Sequence, residues 1–350
     1  MAEFEPEYVV HHRTEHPDAQ WFPEAGMGLF VHWGIHSVAG LQPSWAMIRG
    51  YPCADTDVYP RERYYALAWQ FNPDHYEPER WLDAARKAGF AYAVLTTKHH
   101  DGYSLWPSEH AVLGTHTCHK GCDLVEPFVR ACRNVGLKVG LYFSFADWAW
   151  PGFPMPDCDF DHGRRNQHPP MSEEEDEIQF DAFYAFATAQ VRELLTRYGR
   201  IDLLWFDGVG WRDRDPGEMR GLETIRWIRS LQPHIVVNNR WGRVGDYITP
   251  ECEMPETRPD RWWEACMVSN GHWGYNPDNR LPDIDWWVDH RDRCNAWGGN
   301  FLPNVGPAPD GTMPEDFYER CQQLQTTSPC EPRVEQMSTT GRDASDGRRW

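Results

Sequence analysis

Apolar positions in this chain follow two alternating rhythms. Short unbroken runs at 27–35, 91–97, 138–145, 201–207, 235–238 and 299–305 have the composition of strands buried on both faces. Between them, apolar residues recur three and four apart. Trp81, Ala85 and Ala88 mark a helix over 78–89, with Pro78 at its start and Gly89 at its stop. Leu124, Phe128, Cys132 and Val135 predict a second helix, closed by Gly136. The clearest stripe is Phe180, Phe183, Tyr184, Ala187, Val191, Leu194, Leu195 and Tyr198. Leu222, Ile225, Ile228 and Leu231 precede Pro233; Ile284, Trp287, Val288 and Cys294 follow later, and 314–325 forms a closing helix.

Strand followed by helix, repeated, predicts a parallel sheet with right-handed crossovers. No GxGxxG follows the first strand, so a dinucleotide fold gets no support. The expected class is α/β, a (β/α)8-like barrel over 1–325 with a polar, disordered tail at 326–350. Only six strands are evident. Strands six and seven have to lie within 245–283, which looks like a long loop, as does 151–172.

Composition narrows the function. A net charge of −19 over 350 residues leaves no basic patch for nucleic-acid phosphates. No apolar run is long enough for a membrane helix, and the acidic start of the chain lacks a signal-peptide pattern, so a cytoplasmic location is expected. Ten cysteines show no disulfide framework, and Cys132, Cys266, Cys294 and Cys321 fall in apolar stretches as buried thiols would. Nineteen tryptophans provide core filling and also platforms for sugar rings.

Polar residues gather where the apolar runs stop. His32, His99, His100, Asp207 and Arg240 mark the ends of four different runs. Barrel enzymes keep their chemistry at strand C-termini, where the scaffold holds side chains rigidly. Asp207 precedes Gly208 and on its own is equally compatible with a turn. Metal-assisted hydrolysis is disfavoured, because vicinal His99 and His100 are not expected to turn both rings to one ion. The run His116, Cys118, His119, Cys122 lacks a paired second half and is taken as a solvated loop. Acid/base glycoside chemistry needs two carboxyl groups, which Asp207 and the Glu-rich segment 251–264 supply. Sugar binding without catalysis is the remaining possibility.

The ordered runs GLFVHWGIHSV, VLTTKHHDGYSLWPS, LLWFDG, VNNRWG, WGYN and GGNFLPNVGPAPDGTMP resemble the signatures of family 29 α-L-fucosidases, over about residues 21 to 314. That resemblance implies retaining hydrolysis of terminal α-L-fucosides in fucosylated oligosaccharides or glycoconjugates, without metal or organic cofactor. It implies Asp207 as nucleophile, with His32, His99, His100, Tyr142 and Arg240 contacting the sugar and Trp205 and Trp273 walling the pocket. For the acid/base it points to Glu251 ahead of Glu253, Glu256 and Glu264, the last as a supporting residue. Two departures stand out. Ser44-Trp45 replaces the family's Glu-Trp, keeping Trp45 as a sugar contact but removing a carboxylate. A modified fucose or related hexose is therefore an alternative substrate. The family's C-terminal β-sandwich also has no counterpart, so a bare barrel is expected.

Overall fold

The computed structural model describes residues 13–48, 58–154, 171–208, 211 and 219–327. Its framework is one sheet of seven parallel strands: β1 (Gly28–Val31), β2 (Tyr92–Lys98), β3 (Lys138–Ser144), β4 (Leu203–Asp207), β5 (Val236–Val237), β6 (Glu264–Val268) and β7 (Asn300–Val305). The longer helices are α1 (Pro78–Lys87), α2 (Val125–Val135), α3 (Glu173–Arg197), α4 (Gly221–Leu231), α5 (Ile284–Ala296) and α6 (Glu315–Leu324). Each lies close to its expected bounds. Ser172 and Glu175 cap α3 reciprocally, which starts it within a charged stretch that has no apolar signal. Residues 155–170 of the loop expected at 151–172, and the tail beyond 327, lie outside the described residues.

The strands run β5-β4-β3-β2-β1-β7-β6. Parallel bridges from Asn238 to Tyr247, Ile248 to Trp263 and Glu251 to Cys266 span the gap between β5 and β6. The segment 247–251 thus fills the sixth place in the ring and β6 the seventh. Both arise from what the sequence shows only as loop. The reason is local: Pro250 cannot donate to a ladder, and β6 begins on the buried carboxylate of Glu264, so neither stretch is a continuous apolar run.

Alternation along the strands sorts side chains into two cores. Leu29, Val31, Ala93, Leu95, Leu141, Phe143, Leu204 and Phe206 pack outward against the helices. Phe30, Tyr92, Val94, Tyr142, Leu203, Trp205, Val236 and Leu302 fill the barrel. Gly28 allows the Tyr92 ring into that interior, because a Cβ there would lie 2.3 Å from the ring. The inward parity of Leu203 and Trp205 carries Asp207 to the inner face at the strand tip, and that of Phe30 carries His32 just past β1.

One irregularity decides the site. The register between β2 and β3 shifts between Thr96 and Lys98. Strict alternation would turn Lys98 inward and His99 outward; one extra residue inverts this. Lys98 instead lies over Phe143 in the outer core, 4.3 Å from the ring centroid, and pairs with Asp147 at 2.8 Å with both side chains fully buried. His99 and His100 are freed to face the barrel mouth. Cys132, Cys266, Cys294 and Cys321 are buried free thiols, as expected. No helix among the described residues is long and apolar enough to cross a membrane.

Candidate active site

The C-terminal ends of the strands converge on Asp207. Its Oδ1 accepts the Gly208 N–H at 3.0 Å and Arg240 Nη1–H at 3.1 Å. Its Oδ2 accepts the Tyr142 hydroxyl at 2.9 Å and lies 3.5 Å from His100 Nε2. Burial raises the Asp207 pKa, but the Arg240 charge, His100 and the two hydrogen bonds outweigh it and hold the carboxyl below its ordinary range. Asp207 is a carboxylate in a cleft, and its Gly208 bond is incidental to that role. Inward Tyr142, not outward Phe143, serves the site.

Arg240 organises the opposite wall. Its Nη2 is 2.6 Å from Glu251 Oε2 and its Nε–H donates to Thr249 Oγ1 at 2.7 Å. The guanidinium lies 4.6 Å above the Trp205 ring centroid. One planar cation therefore holds Asp207 on one arm and Glu251 on the other. Among the described residues Glu253 and Glu256 are exposed and make no bond to Arg240 or Asp207. Glu264 is fully buried beneath the site, where its oxygens accept Trp205 Nε1–H at 2.8 Å and the Tyr92 hydroxyl. Burial pushes its carboxyl up to about 7. It supports Trp205 and does not reach the mouth.

Three histidines line the other side. His32 Nδ1 bonds Asn304 Oδ1 at 2.6 Å, His99 Nδ1 bonds Ser44 Oγ at 2.6 Å, and His100 Nδ1 bonds Ser144 Oγ at 2.9 Å. Burial pushes His32 down to about 3 and His100 to about 4, and lowers His99 well below its ordinary value. All three are neutral near pH 7 and act as oriented hydrogen-bonding groups, not as cations. The Trp273 ring lies 5.0 Å from His32, Trp45 lies 5.3 Å from His100, and Tyr142 stacks on His99 at 5.6 Å. Asp207, Glu251, Arg240, His32, His99, His100, Tyr142, Trp45, Trp205 and Trp273 are thus joined by one set of contacts, which Glu253 and Glu256 do not enter.

Two points differ from expectation. The vicinal histidines do converge: one nitrogen each from His99 and His100 and an oxygen of Asp207 lie within 4.8 Å of one another, because the β2 bulge and the turn at Gly102 fold the pair back. The partners Asn304, Ser144 and Thr249, which fix the orientation of the visible residues, carry no signal in the sequence. Each is ordinary in sequence and becomes informative only through adjacency of distant strands.

The profile of the family described as Alpha-L-fucosidase matches residues 2–326. The chain belongs to the α-L-fucosidase family. Among its relatives, rat tissue α-L-fucosidase is 32% identical over 332 residues, covering 87% of this chain and 66% of that one. The human tissue enzyme is 31% identical with the same coverage. The chain thus spans just under two thirds of the length of these α-L-fucosidases. Isoenzyme 1 from Paenibacillus thiaminolyticus superposes with a TM-score of 0.75 at 31% identity, over 88% of this chain and 74% of its own. An α-L-fucosidase from Bacteroides thetaiotaomicron, trapped as a covalent intermediate with 2-fluoro-fucosyl fluoride, superposes at 0.74 with 25% identity, over 89% and 74%. These fucosidases share the barrel, and the fold class expected from the sequence is the one observed.

Proposed function

We propose that the chain is a retaining, exo-acting α-L-fucosidase, with Asp207 as nucleophile and Glu251 as acid/base. The observation that carries this is the Arg240 guanidinium joined to both carboxylates, at 3.1 Å and 2.6 Å. In the first step an Asp207 oxygen attacks the anomeric carbon while the glycosidic C–O bond breaks, and Glu251 delivers a proton to the departing oxygen. In the second, Glu251 takes a proton from water, the water oxygen bonds the anomeric carbon, and the Asp207 ester breaks with net retention. A carboxylate paired to Arg240, as Glu251 is here, suits this second role.

His32, His99 and His100 meet ring hydroxyls as neutral partners, where contacts that strengthen in the transition state favour the reaction. Trp45, Trp205, Trp273 and Tyr142 provide apolar walls for the sugar's methyl and C–H faces. The substrate class is a terminal α-L-fucoside of an oligosaccharide or glycoconjugate. A panel of aryl glycosides tests the reading. Turnover of the α-L-fucoside, with α-L-fucose as the first product seen by NMR, is expected; binding of fucose with no turnover of any member would establish a sugar-binding barrel instead.

A further inference from the structure

Ser44 is fully buried at the barrel mouth, with φ 57° and ψ −49°. The Trp45 N–H closes onto the Pro43 carbonyl at 2.5 Å, making Ser44 the central residue of a γ-turn with positive φ. That turn is rare and strained for any residue but glycine, and strain of this kind collects at functional sites. Its surroundings hold it in place. The Ser44 N–H donates to Tyr64 Oη at 2.7 Å. Ser44 Oγ accepts the Asp101 N–H at 2.7 Å and lies 2.6 Å from His99 Nδ1 and 3.2 Å from Asp101 Oδ2. The Asp101 carboxylate also accepts the Tyr64 hydroxyl at 2.8 Å and the Tyr103 N–H at 2.9 Å.

Burial raises the Asp101 carboxyl while its Tyr103 and Tyr64 donors favour the ionised form; with Asp101 ionised, counting protons fixes the direction of this chain of bonds. Ser44 has one hydroxyl proton and two candidate acceptors. Sent to His99 Nδ1, it leaves Ser44 Oγ facing Asp101 Oδ2 at 3.2 Å, lone pair against lone pair. Sent to Asp101, it lets His99 Nδ1–H donate to Ser44 Oγ, and every contact then joins a donor to an acceptor. The second arrangement wins. His99 is held neutral by burial and by its histidine neighbours, so only one of its nitrogens carries a proton. Nδ1 is turned to Ser44, and among the described residues no protein group bonds Nε2. A His99 ring nitrogen lies within 4.8 Å of an Asp207 carboxylate oxygen, and with Nδ1 bonded to Ser44 the nitrogen left for a sugar is Nε2.

We propose that Tyr64, Asp101 and Ser44 form a relay that fixes His99 as a hydrogen-bond acceptor, so that the site selects a sugar carrying a free hydroxyl where His99 meets it. This deepens the fucosidase reading and rests on it for the identity of the sugar. A ring with hydrogen, fluorine or an alkyl ether at that position offers no donor and leaves the His99 lone pair unpaired. Ser44 is a positioning residue here, and His99 makes the contact.

Two measurements test the relay. In the intact protein with ¹⁵N-histidine, the His99 signal is identified by its loss in His99→Gln. The wild type should show the Nδ1–H tautomer. In Asp101→Asn the Tyr103 N–H keeps the amide oxygen, the amide N–H2 turns to Ser44, and His99 should switch to Nε2–H. An Nε2–H tautomer in the wild type, or no switch in a folded Asp101→Asn, overturns the proposal. The second measurement uses aryl α-L-fucosides with each ring hydroxyl replaced in turn by hydrogen. One position should cost the wild type about a hundredfold or more in kcat/KM, as expected where a built polar contact is left unpaired. Ser44→Ala, which keeps the Cβ, should cut that discrimination at least tenfold, mostly through KM; an unchanged discrimination overturns the relay even where Asp101→Asn does not fold. Absence of turnover on every fucoside would sink the fucosidase reading while the tautomer result stands by itself.

Discussion

Replacing Arg240 with methionine should move the acid limb of the pH–rate profile upward. Arg240 Nη1 lies 3.1 Å from Asp207 Oδ1. The two side chains are 20% and 22% exposed, so solvent screens the pair only in part. At an effective dielectric constant of about 20, unit charges ~4 Å apart attract by about 4 kcal/mol. One pKa unit corresponds to about 1.4 kcal/mol, which sets a ceiling of about 3 units. Burial acts in the opposite direction and remains in the variant, so the Asp207 pKa should rise, with His100 and the Tyr142 hydroxyl still holding part of it down. The nucleophile has to be ionised to attack. The acid limb of kcat/KM, which reports the free enzyme, should therefore shift up by about 1–3 pH units. Arg240→Lys keeps the charge without the fork and should shift less. The assay is kcat/KM on an aryl α-L-fucoside from about pH 3 to about 8, with the fold checked by unfolding midpoint. An active Arg240→Met enzyme whose acid limb stays in place would refute the electrostatic account of Asp207.

Asp207→Ala should lower kcat on the same substrate by more than about a hundredfold, and retention above that level removes Asp207 from the nucleophile role. Glu251→Ala should lose far more activity on a poor leaving group than on an activated aryl one, because a good leaving group needs little protonation; equal losses on both reject Glu251 as the acid. Lys98→Met strands the fully buried Asp147 charge and should cost about 3–5 kcal/mol in urea unfolding. A loss under about 1 kcal/mol would mean that the bulged end of β2 does not depend on that pair. Glu264 tests pH linkage. Its folded pKa of about 7 lies above the unfolded value of roughly 4.3, so across that window the folded state retains a proton that the unfolded state has lost. This group's contribution to stability therefore falls as pH rises through the window, by about 3–4 kcal/mol. Glu264→Gln should remove that fall, and parallel stability curves for wild type and variant would contradict it.

The α/β class, most of the strand and helix bounds and the strand-tip residues were legible in the sequence because they rest on local chemistry. Continuous apolar runs, 3-4 stripes and Gly or Pro stops are properties of neighbouring residues. Asp207 at the end of an apolar strand, with Arg240 and the histidines at the ends of others, follows from the same pattern, and ordered motifs over most of the chain gave the family. What local pattern could not supply came from register and adjacency. The sixth and seventh places in the barrel exist because 247–251 and Glu264–Val268 pair with distant strands, despite Pro250 and a buried carboxylate that hide both as strands. The inward turn of His99 depends on one extra residue in β2, which inverts the parity that alternation predicts. Glu251 stands apart from its glutamate neighbours only because Arg240 reaches it, and Ser44 acquires its partners only where Tyr64, His99 and Asp101 close around it. Sequence determined which groups are available at the mouth of the barrel; tertiary contact decided which oxygens and nitrogens they present, since hydrogen-bond direction and charge pairing depend on neighbours that lie tens of residues away along the chain.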